Sequence, residues 1–231
     1  MSFQKAVRGT RPVKVLISGA AGGGKTKSAL RLMKGFIGDK PLLVADTENN
    51  SSTIYANEFD FLIHNMEEKD QTIKGYIEVM DKAKTDGNIK GLILDGITPA
   101  WKYILELSNK MEGSNSYTNW AKLTPMYENF KKAIINFNLP LICTVRSKQD
   151  YVLEQNEKGR LTPKKVGLAM EAGKDIDFDF DIVFAVDQST NMARIDKCRY
   201  SEVVEYFKDK GGEVLLTEEV GAIIKKAIKG E

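Results

Sequence analysis

The chain is short of the residues that bind soft metals or cross-link secreted folds: its 231 residues include one histidine and two cysteines. Cys143 and Cys198 form no C-x-x-C pair and His64 has no partner motif, so a zinc site is not expected. Cys143 lies in an apolar run and reads as a small core residue. His64 closes a predicted strand and reads as structural. No apolar run approaches membrane-spanning length, and residues 1–8 hold no signal-type stretch. These absences give a cytoplasmic chain in a reducing compartment, with no membrane partner, as the expectation. An excess of one charge is missing too. Thirty-four Lys and Arg against 32 Asp and Glu leave a net +2, so any basic surface must be local.

What is present starts with 42% hydrophobic residues, enough for a core, in a length that suits one α/β domain. The most specific segment is Gly19-Ala20-Ala21-Gly22-Gly23-Gly24-Lys25-Thr26, which fits the phosphate-binding pattern G-x-x-x-x-G-K-[ST]. Glycines let backbone N–H groups turn inward around an anion. A helix starting at about Gly24-Lys25, and running on through Lys27, points its positive end at the phosphates. Lys25 reaches the β and γ phosphates, and Thr26 offers its hydroxyl to Mg²⁺. The apolar strand Val13–Ile17 before the loop supports this reading. So does the helical stripe Ala29, Leu32, Met33, Phe36, Ile37 after it.

Strand and helix signals alternate along the first two-thirds, which predicts a mostly parallel sheet flanked by helices. Strands are expected at 41–45, 59–63, 91–94 and 139–145. Helices are expected on the stripes Ile73–Ala83, Ala100–Met111 and Leu123–Phe137. After Arg146 the pattern reads as β-rich. A hairpin turns around residues 156–159, and Asp175–Ile182 alternates strictly as a strand. Further strands run through Ala185, Ile195 and Val203–Phe207, before a last helix over about 217–229 with Thr217 as N-cap. Alternation would set Asp175, Asp177, Asp179 and Asp181 about 7 Å apart on one strand face, too far apart to share an ion, so a solvated or cation-paired face is expected. No repeat or linker breaks the chain, so residues 1–231 are expected to form a single domain.

Leu92-Ile93-Leu94-Asp95 is an apolar strand ending in Asp, the Walker B pattern, which makes Asp95 the expected partner of Mg²⁺. Glu48 follows the strand ending at Asp46. Carboxyl ends of parallel strands gather on the ligand side. Fold reasoning alone leaves Glu48 open between a water-orienting base and an ordinary loop carboxylate.

This order of motifs resembles the RecA-like P-loop ATPase core: P-loop, strand ending Asp46-Thr47-Glu48, strand ending Asp95, then Leu141–Arg146. The resemblance covers roughly residues 12–210. It implies ATP as nucleotide, Glu48 as the residue that activates water, and Tyr55, seven residues on, as the base-stacking residue. It also implies that Arg146 senses the γ phosphate. The later segments Arg146-Ser147-Lys148, Glu157–Arg160, Pro163–Gly167 and Phe180–Val183 are similar to compact phage-encoded AAA/RecA-like ATPases of recombination modules, some of them associated with single-strand annealing. That would place the chain in a host cytoplasm. Lys197-Cys198-Arg199 resembles the Lys-x-Arg fingers of hexameric relatives, which act on a neighbouring subunit's ATP; two cations on an exposed strand face are the plainer reading. The resemblance further implies self-assembly as a ring or filament.

It also implies single-stranded DNA as partner, through two loops. One is Glu112–Trp120, amide-rich with two aromatics that could stack on bases. The other is 148–174; from Arg146 to Lys174 there are seven basic and four acidic residues. A recombination partner protein fits the same setting. Two alternatives stand beside this ATPase: a P-loop kinase acting on a small acceptor, and a non-hydrolysing ATP switch that scaffolds a recombination or packaging partner.

Overall fold

A computed structural model describes residues 3, 5–9, 11–111, 116–155 and 161–231. The chain begins with β1 (Lys14–Gly19), α1 (Lys25–Ile37), β2 (Leu42–Asp46), β3 (Leu62–Asn65) and α2 (Ile73–Thr85). It continues through β4 (Gly91–Asp95), α3 (Thr98–Lys110), α4 (Ser116–Asn136), β5 (Leu141–Gln155) and β6 (Leu161–Met170). β7 (Ile182–Val186), β8 (Ala193–Cys198), α5 (Ser201–Asp209), β9 (Glu213–Val214) and α6 (Glu218–Lys229) complete it.

The strands lie in the order β3-β2-β4-β5-β1-β7-β8-β9, with β6 paired to β5 outside that path. The five neighbouring pairs from β3 to β7 are parallel; β7–β8, β8–β9 and β5–β6 are antiparallel. Strands covered on both faces are apolar at nearly every position, which is why Val15–Ile17 and Leu92–Leu94 read as unbroken runs. Successive residues then feed two cores. Val15, Ile17, Val44, Ile93 and Ile142 pack with α1, α5 and α6. Leu16, Ala45, Leu92, Leu94 and Cys143 pack with α2, α3 and α4. Helices α1 and α6 meet at Gly35 and Gly221, where an added Cβ would collide with the carbonyls of Glu218 and Leu32. Among the described residues no helix is long and apolar enough to cross a membrane.

Four expectations change. The third strand begins at Leu62 and not at Phe59, whose ring is buried. Asp175–Ile182 is not one strand. Residues Ile176–Asp179 form a 3₁₀ turn entered through Asp175 at φ 63°, and only Ile182 belongs to β7. The alternation misled because Ile176 and Phe180 are buried while Phe178 is not. Val203–Phe207 is helix α5, since Val203 and Phe207 fall at i and i+4 on its buried face. The last third is therefore divided between strands and helices. Finally, residues 116–120 form the first turn of α4 and not a loop. The predicted hairpin is present as β5–β6, in register from Ser147↔Met170 to Gln155↔Leu161. Its turn at 156–159, like 112–115 of the first expected DNA loop, lies outside the described residues.

Candidate active site

β1 delivers the glycine-rich loop between its two neighbours, with Gly19 in register with Arg146 on β5 and Val186 on β7. An added Cβ on Gly19 would sit 2.9 Å from the Val186 carbonyl. Gly22 and Gly24 take φ 75° and 78°, a conformation open to glycine and strained for other residues. Helix α1 starts at Lys25 with no acidic residue in its first turn and no side-chain cap, so its N–H groups stay available to an anion. Lys25 Nζ donates a 2.7 Å bond to the Ala20 carbonyl. Burial holds the Lys25 amine below the usual lysine range, against the pull of Glu48 and Asp95. A cation kept charged at this cost needs an anion, and a phosphate fits it.

Asp95 ends β4, 5% exposed. It accepts a 2.8 Å bond from Thr26 Oγ1 and a 2.7 Å bond from Thr144 Oγ1. Burial raises its carboxyl to about 6 in spite of these two donors. A hydroxyl and a carboxylate oxygen at this spacing suit a hard divalent cation. No three of His, Cys, Asp and Glu converge as a metal set among the described residues. Any Mg²⁺ here would therefore share its ligands between Thr26, Asp95 and phosphate oxygens, as that ion commonly does.

Glu48 stands beyond the end of β2 on a loop shaped by Asp46. This wholly buried carboxylate accepts from the backbone N–H groups of Glu48 at 2.7 Å and Ser52 at 2.8 Å. The Glu48 carboxylate is held by Arg146, whose Nη2 and Nε lie 2.5 Å and 3.1 Å from Oε1. Both side chains are about half exposed (48% and 45%), so the pair is weakly worth its Coulomb energy and easily opened.

Lys25, Thr26, Lys27, Glu48, Tyr55, Asp95 and Arg146 all line one cavity of about 530 Å³, with Ala21, Gly22 and Gly24 at its base. That volume is in the range of small-molecule sites. Tyr55 forms its outer side, with Lys27 Nζ 5.6 Å from the ring centre. A second cavity of about 290 Å³ lies behind the Glu48–Arg146 pair and shares Glu48, Gly96 and Arg146 with the first.

The cavity also holds residues the motifs did not point to. Thr144 is one; a lone hydroxyl inside the buried run Leu141–Val145 was the available signal. Asn191, from the β7–β8 loop, is another and lies against Gly24, while Gln188 of the same loop stays outside the cavity lining and donates a 2.8 Å bond from Nε2 to the Ala21 carbonyl. Nothing in the sequence links that loop to the P-loop; only the β1–β7 pairing does. Arg31, Ile54 and Leu215 complete the rim.

Lys197 and Arg199 are not in the cavity. They lie near the start of β7, at the amino end of the parallel strands, where Lys197 is in register with Val183. Lys197 Nζ donates 2.8 Å to the Asp177 carbonyl. Trp120 sits in the first turn of α4 and not in a loop: its ring is stacked on Trp101 at 5.7 Å between centroids, and the neighbouring Asn119 is buried. The four aspartates form no ladder. Asp181 is buried against Arg11 and Arg199, and Asp179 faces Lys131 at 3.7 Å.

A family model described as an AAA domain matches residues 11–221, nearly the whole chain. No curated protein matches.

Proposed function

The chain belongs to the AAA-domain family, and from that premise we propose that it is a magnesium-dependent ATP hydrolase whose turnover responds to single-stranded DNA, in recombination or annealing of the phage type. The observation that carries the ATPase reading is convergence. The ends of β1, β2, β4 and β5 bring Lys25, Glu48, Asp95 and Arg146 to one 530 Å³ cavity. Lys25 and the N–H groups of residues 20–26 would neutralise and orient the triphosphate. Thr26 and Asp95 would hold Mg²⁺, which supplies charge neutralisation at the phosphate oxygens when bound. Arg146 would exchange Glu48 for the γ phosphate, since a doubly charged anion competes well for a half-exposed guanidinium. That exchange frees the Glu48 carboxylate to take a proton from water. Tyr55 would face the base. Lys197 and Arg199 would serve a neighbouring copy's site.

DNA coupling is supported by continuity: β5 runs from Arg146 directly into the β5–β6 arm, and the 146–174 segment carries the basic excess. A second reading, a kinase acting on a small acceptor, is supported by the 290 Å³ cavity beside Glu48. Phosphate release measured with and without single-stranded DNA separates the readings. The ATPase reading expects free phosphate, increased by DNA and reduced by salt. A phosphorylated small product without free phosphate would mean the kinase, and tight ATP binding with no turnover would mean a switch.

A further inference from the structure

The charged residues that line the large cavity are engaged, with one exception. Lys25 donates to the Ala20 carbonyl, Lys27 pairs with Glu58 at 2.7 Å, Arg146 holds Glu48, and Asp95 takes two hydroxyls. Arg31 is half-buried on the same wall, and among the described residues its guanidinium has no hydrogen bond, ion pair or ring contact. A partly buried cation without a partner is unfavourable in the folded chain alone, so a ligand that brings acceptors gains from it.

The helix fixes which part of a nucleotide Arg31 meets. Lys25 marks the phosphate end, where α1 begins. Arg31 stands six residues further on, about 9 Å along the axis, and one turn beyond Lys27. Lys27 Nζ lies 5.6 Å from the centre of the Tyr55 ring, so Arg31 and Tyr55 belong to the same end of the cavity, the end left for the nucleoside. Tyr55 does not choose the base, because every base has a face to stack on a ring. Edge contacts choose it. A guanidinium only donates. Guanine presents two neighbouring acceptors, O6 and N7, which match the fork of an arginine; adenine presents N7 beside its donating N6 amine. That amine would need an acceptor of its own. Glu58 is held by Lys27, and Asn191 Oδ1 lies at the phosphate end, 2.8 Å from where a Gly24 Cβ would stand. Of the side chains at the nucleoside end, only the hydroxyls of Ser51 and Tyr55 remain as acceptors.

We propose that Arg31 reads the base and admits guanine, so that the cavity takes guanine as well as adenine nucleotides, with the Arg31 fork on guanine O6 and N7 and the ring on Tyr55. The inference rests on the nucleotide-binding reading above and widens its substrate class to purine nucleotides. The phosphate end serves both, since both carry the same phosphates.

Titration calorimetry with ADP, GDP and 7-deaza-GDP, none of which is turned over, tests it. The parent is expected to bind ADP and GDP, and to bind 7-deaza-GDP, which lacks the N7 acceptor, roughly tenfold more weakly than GDP. Arg31→Met keeps the apolar stem, and its melting temperature checks that it folds. Its ratio of GDP to ADP affinity should fall roughly 10–100-fold, and GDP and 7-deaza-GDP should become equal. Arg31→Lys keeps the charge without the fork, and the ratio should fall there too. Equal loss of ADP and GDP in Arg31→Met would put Arg31 on phosphate or sugar and overturn the proposal. So would an unchanged ratio in either variant, equal binding of GDP and 7-deaza-GDP by the parent, or a parent that binds ADP and not GDP. If the parent binds none of the three, the nucleotide-binding reading fails together with the proposal, a result distinct from any selective loss.

Discussion

The two ends of the central strands handle charge in opposite ways. At the amino end the buried charges are answered from within. Lys14, 1% exposed, donates to the carbonyls of Phe137 at 2.7 Å and of Pro12 and Leu139 at 3.3 Å. Asp181 accepts the Lys14 backbone N–H at 2.9 Å and holds Arg11 and Arg199. At the carboxyl end Lys25 has one carbonyl, Asp95 has two hydroxyls, and Glu48 and Arg146 hold each other across a solvent-exposed gap. The amino end is complete as a folded structure. The carboxyl end leaves its charges partly answered and open to solvent, and such incompleteness is what marks a candidate site.

Substitutions at the two ends should therefore separate activity from stability. The largest effect belongs to Glu48→Gln, which should lower phosphate release by roughly 10²–10⁴-fold with nucleotide binding retained; turnover equal to the parent would remove Glu48 as the residue that activates water. At the other end Asp181→Ala leaves the buried Lys14 backbone N–H without its acceptor and the half-exposed Arg11 and Arg199 without their carboxylate, and should cost about 1–3 kcal/mol in urea denaturation. Nucleotide affinity of the folded fraction should not change. If affinity drops as well, the two ends are not independent.

Similar in size, the pH response of Lys14 sharpens the same contrast. Burial lowers its amine to about 8 from 10.5. The native state then binds that proton less readily than the unfolded chain, so stability should rise as pH climbs from about 8 toward 10.5, by up to about 3 kcal/mol. Below pH 8 the contribution is constant. The rise should be missing from the stability curve of Lys14→Met, measured by denaturant titration at each pH, and should remain in the difference between parent and variant. The smallest effect is expected from Gln188→Ala. Losing its bond to the Ala21 carbonyl should weaken nucleotide binding by about 1 kcal/mol, roughly fivefold, with unchanged thermal stability.

Legibility followed the same division. The carboxyl end was readable because phosphate chemistry demands fixed residue types at fixed spacing: Gly19–Thr26 and Asp95 announced themselves, and Glu48, Tyr55 and Arg146 followed from motif order. Their convergence on one cavity agrees with that order. The amino end carried no motif. Asp175–Asp181 looked like an alternating strand, yet tertiary packing of Ile176 and Phe180 against α4 and its neighbours made it a turn and left Phe178 outside. Val203–Phe207 was misread as a strand for a similar reason, because so short a segment satisfies both periods and only its packing arbitrates. Trp120 was misread as a loop aromatic because the glycine- and amide-rich run Gly113–Asn119 carries the composition of a loop.

By itself the sequence determined the parallel α/β class, the glycine-rich loop between β1 and α1 and the acidic strand end, because backbone conformation restricts those positions locally. Only the tertiary structure decided that Arg146 pairs with Glu48 and that Thr144 joins Thr26 on Asp95. It alone brought Asn191 and Gln188 to the P-loop and set Lys197 and Arg199 at the far end from it. Those are contacts between strands that are neighbours in the sheet and distant in the chain, and strand order is fixed by which buried faces can pack together, not by any local pattern of residues.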